Sequence, residues 1–182
     1  MKLFGWLRKE KRDSALDQWR NAWAAAIEQG EAGDGPLRDW LKELSTHEAD
    51  VEIELEMLEA LDQLRATQRA VSAGSLPVVD TQHRVIAAES CHFTAPASMA
   101  TDQAQSTGRV LLTGSRAVFV GAGRTSVTPW HQVHAVARID RDVVLLRGDR
   151  TPTAHFRFNS YADALVCAFL AGQLRPAKRP RL

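Results

Sequence analysis

The 182-residue chain has only two cysteines, Cys91 and Cys167, far apart in sequence, so no disulfide framework is expected. Its longest apolar run, ALVCAFLAG at 164–172, is well short of the roughly 18 residues a membrane-spanning helix requires, so no helical span is expected. The opening MKLFGWLRKEKR is basic but lacks the apolar stretch and small-residue cleavage site of a secretory leader. A cytoplasmic location is the expectation. Catalytic signatures are also missing. No phosphate-binding loop, nucleophile elbow or paired-acid signature is visible, and the Gly-x-Gly of GAGRTS follows a strand pattern without opening a helix, so it reads as a hairpin turn.

The net charge of +1 conceals a strong internal polarity. Residues 1–12 carry a net +4, residues 13–72 a net −9, residues 73–174 a net +2, and the tail RPAKRPRL another +4. Between 47 and 62 there is no lysine or arginine at all. Such asymmetry bears on partners more than the total does.

From Asp13 to about Val71 the apolar period is helical. Leu16, Trp19, Trp23 and Ile27 share one face, with Asp13 or Ser14 as the cap. GEAGDGP stops this helix, and Pro36 sits near the start of the next. Leu37, Leu41, Leu44, Val51, Leu55 and Leu58 form a second stripe, interleaved with an acidic run that includes Glu52, Glu54, Glu56 and Glu59. Ser45 and Glu48 have capping-box spacing, so this helix breaks or bends there, giving a helical hairpin of two or three pieces.

After SAGSLP the period changes from 3.6 to 2. Strand-like runs fall at about 83–95, 108–113, 116–121, 125–128, 133–139, 143–147 and 153–158, separated by turn signals such as TG, GAG and DRD. Ser160 and Asp163 then form a capping box opening SYADALVCAFLAGQL, whose expected apolar face is Leu165, Phe169 and Gly172 with Val166 and Leu170 beside them.

GRVLLTGSRAVFVG, through Gly108, Val110, Leu111, Leu112, Thr113, Arg116, Val118 and Phe119, resembles the strand pair of GRAM and bacterial pleckstrin-homology-like domains. A Gly-x-Leu-Tyr-Leu-Thr-x-x-Arg-Leu-x-Phe rhythm is common there. TSVTPWHQVHAVAR looks like the next strand with its Pro-Trp-x-x-Val corner, HFRFNSYADALVCAFL like the last strand entering its helix, and CHFTAPASM like the first strand. Ala117 stands where a larger aliphatic residue is usual. The resemblance implies an α+β chain: an N-terminal helical hairpin, then a PH/GRAM-like seven-stranded antiparallel barrel or sandwich with a C-terminal capping helix. The expected organisation is a helical region at 1–72, a linker at 73–77, the PH/GRAM-like domain at 78–174 and a basic disordered tail at 175–182. PASMATDQAQSTG carries no cation before Arg109, so a specific inositol-phosphate pocket is not expected.

The role this favours is non-enzymatic binding or scaffolding, through a protein partner or self-association. Peripheral attachment to an anionic membrane would come from Lys2, Phe4, Trp6, Leu7, Arg8, Lys9, Lys11 and Arg12, where apolar side chains at helical spacing are flanked by cations. Each such cation contributes about 1 kcal/mol, so a net +4 alone supports only about millimolar binding. The same apolar residues could instead extend the first helix and pack on its partner. Two alternatives differ in class. One is a hydrolase or metal-dependent enzyme using Cys91 or the histidines. Cys91 and His92, as strand neighbours, should point to opposite faces, with Cys91 buried beside Phe93. His131 and His134 lie at a corner without a Cys, Asp or Glu within five residues. The other alternative is a structural protein oligomerised through its helices, as the Leu37–Leu58 stripe would allow. No cofactor, metal or small-molecule substrate is implied, and nucleic acid is not expected beside so acidic a helical half.

Overall fold

The computed structural model describes residues 3–46, 50–81, 83–100 and 105–175, with backbone alone for 3–14, 100 and 105. The chain divides into two compact units, Met1–Arg65 and Ala66–Leu182.

The first unit is built from α1 (Leu3–Gln29), α2 (Asp34–Thr46) and α3 (Glu52–Ser72), the last running on past Arg65. α1 begins ten residues before the expected cap at Asp13, because Leu3 to Arg12 holds good helix formers and no proline. Trp19 and Trp23 are buried as their spacing predicts, and each carries a polar handle that ties two helices. The indole N–H of Trp19 donates to Leu37 O at 2.9 Å, and that of Trp23 to Met57 O at 2.8 Å. α1 stops at Gly30, whose φ of 84° favours glycine. The helix end is closed from a distance. Arg65, 3% exposed, donates through Nη2 to the carbonyls of Ala26 (2.7 Å) and Gly30 (2.8 Å), and through Nε to Asp34 Oδ2 (3.1 Å). One guanidinium thus satisfies orphan carbonyls of α1 and the carboxylate that starts α2.

The leucine stripe breaks between α2 and α3, near the expected bend. Leu37, Leu41, Val51 and Leu58 are buried, but Leu55 is 51% exposed and Met57, Leu61 and Leu64 take inward positions on α3. Glu54, one of the acidic run, is 1% exposed, and Arg20 donates to its Oε1 through Nε at 2.8 Å.

The second unit holds one seven-stranded antiparallel sheet: β1 (Cys91–Ala100), β2 (Gln105–Thr113), β3 (Arg116–Gly121), β4 (Arg124–Pro129), β5 (Ala135–Ile139), β6 (Asp142–Leu146) and β7 (Pro152–Phe158). Their order is β4-β3-β2-β1-β7-β6-β5, an open sheet. Val110, Leu112, Phe119, Val143, Leu145, Phe156 and Phe158 form the inner face, against which α4 (Tyr161–Leu174) packs Ala164, Cys167, Leu170 and Ala171. Helices, then seven antiparallel strands, then a closing helix: this is the expected fold class.

Gly108 lies opposite Gly121 on β2 and β3, and a Cβ at Gly108 would stand 2.3 Å from Val120 O and 2.8 Å from the Phe119 ring. Only glycine fits there. Ser160 caps α4, its Oγ accepting from Asp163 N at 3.1 Å. The buried face of α4 differs from expectation, since Gly172 is exposed and Phe169 only partly covered while Ala164, Cys167 and Ala171 face inward. A helix apolar nearly all round gives periodicity little to choose by.

The first strand also differs. Instead of running from 83 to 95, the chain makes a 3₁₀ turn at Arg84–Ile86, takes a positive φ of 50° at Ala87, and enters β1 only at Cys91. Val79 bridges Cys91 ahead of it.

Candidate functional site

The Thr113-Gly114-Ser115-Arg116 turn between β2 and β3 holds two of the residues on which the resemblance rests, Thr113 and Arg116. Thr113 Oγ1 donates to Glu89 Oε2 at 2.6 Å and accepts from the backbone N–H groups of Ser115 and Arg116 at 3.3 and 3.2 Å. Ser115 Oγ donates to the same carboxylate oxygen at 2.5 Å, and Arg116 Nη2 lies 2.5 Å from Oε1. Hydrogen bonds from Ser115 and Thr113, with the charge of Arg116, hold the Glu89 carboxyl below its ordinary value. From the far side Trp130, buried at the Pro-Trp corner, donates its indole N–H to Thr113 O at 2.8 Å. The turn is therefore a lock. It fastens the segment before β1 across the outer face of β1–β3, where Ile86 covers Cys91, Leu111 and Val118. Sequence reasoning found Thr113 and Arg116 but missed Glu89, which lies 24 residues from Thr113 and belongs to no local motif.

Cys91 is buried, but not on the face of Phe93. A β-bulge between the two shifts the register, so Cys91 joins the outer cluster under Ile86 while Phe93 enters the core. Burial pushes the Cys91 thiol up, and its Sγ donates to Phe93 O at 3.1 Å. His92 Nδ1 lies 2.8 Å from Pro77 O. Each member of the Cys91-His92 pair is engaged by a different backbone carbonyl, and a buried, protonated thiol is a poor nucleophile. Cys167 is buried against Asp163, and burial pushes its thiol up as well. His131 and His134 are exposed at the corner before β5, and His155 Nε2 lies 3.4 Å from Asp142 Oδ1. Among the described residues no three His, Cys, Asp or Glu side chains are grouped to hold a metal ion, and no helix is long and apolar enough to cross a membrane.

Of the residues expected at the membrane surface, Lys2 lies outside the described residues, and Phe4, Trp6, Leu7, Arg8, Lys9, Lys11 and Arg12 are described only as helical backbone. Residues 176–182 of the expected basic tail also lie outside them.

The helical unit carries a groove of about 320 Å³ between α2 and α3. Leu41, Val51, Leu55 and Leu58 form its apolar lining, and Arg38, Lys42 and Ser45 line it from α2. Arg38 pairs with Asp62 across it. A second apolar surface lies on the outer face of β5–β6. There Ala135 faces Leu146 and Ala137 faces Val144, next to Ile139, which is 68% exposed. Both surfaces could take a partner.

No family model and no curated protein matches this sequence. Solved structures are similar in part. The C-terminal domain of an unknown protein from Leishmania infantum is 11% identical, with a TM-score of 0.41 over 50% of this chain and 88% of that one. Inner membrane complex sub-compartment protein 1 of Toxoplasma gondii is 12% identical, with a TM-score of 0.41 over 64% and 93% of the two chains. The DH/PH domains of p115-RhoGEF are 12% identical, with a TM-score of 0.43 over 94% and 57%. At these scores the likenesses carry no functional argument.

Proposed function

We propose that this chain is a non-enzymatic binding and scaffolding module. Its helical unit takes a protein partner, or another copy of the chain, in the α2–α3 groove, and its strand unit is a GRAM-like scaffold of the bacterial pleckstrin-homology type. The observation that carries the reading is the groove itself, an open apolar trough with Leu55 half out of the surface and Arg38 and Lys42 along one side. Exposed apolar concavities with a charged rim are the usual form of a docking site. The test uses the buried cysteines to advantage. A Ser45→Cys variant carrying a photo-cross-linking maleimide should label at position 45, since Cys91 and Cys167 are covered. A discrete cross-linked species in cytosol, lost in Leu55→Asp, supports the reading; the absence of any such species removes it.

The second arm of the proposal is peripheral attachment of this cytoplasmic protein to anionic membrane through residues 1–12. It is supported by the interleaved cations and aromatics of that segment and by the helix that begins at Leu3. Co-sedimentation with anionic vesicles at low salt should occur for the full chain and fail when residues 1–12 are deleted or the vesicles are neutral. Equal sedimentation of the truncated chain would sink this arm and leave the groove untouched.

A further inference from the structure

We propose that the occupant of the α2–α3 groove is a second copy of this chain, docked about a two-fold axis. The inference rests on the reading of the groove as a binding surface and specifies its partner.

The argument comes from the distribution of charge on its two sides. On α2, Arg38 and Lys42 stand one helical turn apart and line the groove. Asp39 and Glu43 follow them by one residue and so project about 100° further round, away from it. The α2 side is therefore cationic. On α3 the exposed Leu55 lies between Glu52, three residues before it, and Glu59, four residues after it, both exposed. The α3 side is anionic. Arg38 already pairs with Asp62 of α3. Among the described residues, Lys42, Glu52 and Glu59 make no ion pair within the chain.

Each copy thus carries a trough with a cationic side and, beside it, an exposed leucine between two carboxylates. A two-fold axis sets each α2 side against the partner copy's α3 side, bringing Lys42 to Glu52 and Glu59 and laying the two Leu55 side chains over the two apolar floors. One patch is then complementary to itself, as an isologous contact requires. A foreign helix would have to reproduce what α3 already presents. A stable interface buries roughly 1,200–2,000 Å², and the patch offers one exposed leucine and three unpaired charges around a narrow trough, so the association is expected to be concentration-dependent rather than permanent.

Sedimentation velocity of the full chain from micromolar to near-millimolar concentration reads this directly. The expected result is a shift from monomer to dimer. Leu55→Asp and Lys42→Glu should each raise the dissociation constant at least about tenfold. Both positions are exposed, so neither change threatens the fold. Glu59→Lys should weaken the dimer similarly, and combining it with Lys42→Glu should recover most of the loss. A monomer at every concentration, or a dimer indifferent to both Leu55 and Lys42, overturns the inference. If the chain stays monomeric while Leu55→Asp still abolishes the position-45 cross-link, the occupant is a foreign protein: the second copy is excluded and the groove keeps its role.

Discussion

The helical unit and the strand unit bury different things. In the helices two charged side chains, Glu54 and Arg65, lie inside among the leucines and tryptophans, whereas among the described residues of the strand unit the buried polar side chains are Thr113 and Thr128. Arg65 gathers two carbonyls and a carboxylate, while Arg20, itself partly exposed, reaches Glu54 from the surface. The strands satisfy their backbone in ladders, and the Glu89–Arg116 lock stays partly exposed. Three helices have ends to close, and each end leaves carbonyls or N–H groups without partners. An antiparallel sheet meets that need internally except at its edges. The difference teaches that interior charge here answers the problem of helix termini, and that it makes the helical unit the more sensitive of the two to a single deletion.

Arg65→Ala should break the comparison hardest. It strands the Asp34 carboxylate and the carbonyls of Ala26 and Gly30 at once, and removing one side of a buried ion pair costs about 3–5 kcal/mol. The denaturation midpoint in urea checks it, and a loss under about 1 kcal/mol would mean that the helix ends find other partners. In the strand unit the largest effect is expected from shape. Gly108→Ala inserts a methyl where Val120 O and the Phe119 ring leave no room, which should cost about 1–3 kcal/mol. Alanine at Gly123, whose φ of 72° is strained for any side chain but which faces open space, separates backbone strain from overpacking. If the Gly108 and Gly123 variants lose equal stability, the β2–β3 approach is looser than the distances require.

The two units were also unequally legible. β3 has the boundaries read from the sequence, and β7 begins one residue early, because short apolar runs between Gly and Asp turns leave few alternatives. β1 begins later than expected because the chain turns at Arg84–Ile86 and Ala87, and Cys91 leaves the face of Phe93 because a bulge between them reverses the alternation, a change of parity that leaves no local mark in the sequence. In the helices the tryptophan spacing and the α2 part of the leucine stripe led to the right faces, but the exposure of Leu55 and the burial of Glu54 and Arg65 did not follow from them. Their partners lie 31 to 39 residues away, beyond the reach of any periodicity. The groove was half visible. Its leucines were read as one continuous stripe, and only the break between α2 and α3 turns that stripe into two walls with a trough between them.

The smallest expected effect is the most specific, because it turns on a sign. The Glu89 carboxyl is held below its ordinary value of 4.5, so in that region the folded state binds fewer protons than the unfolded chain. Its contribution is complete above 4.5 and is lost as the pH falls from there through the lower folded value. Glu89 and Arg116 are each about one-third exposed, which limits the contribution to about 1 kcal/mol or less. Glu89→Gln should therefore lower the denaturation midpoint slightly at neutral pH, and the two proteins should converge in acid. Asp163 acts in the opposite sense. Burial raises its carboxyl above 3.8, so proton uptake there favours the fold as the pH drops, and it does so equally in both proteins. Subtracting one pH profile from the other cancels Asp163 and leaves Glu89 alone. Parallel profiles down to the acid limit would mean that the segment before β1 is held by Ile86 and its apolar cluster, with the carboxylate contributing nothing measurable.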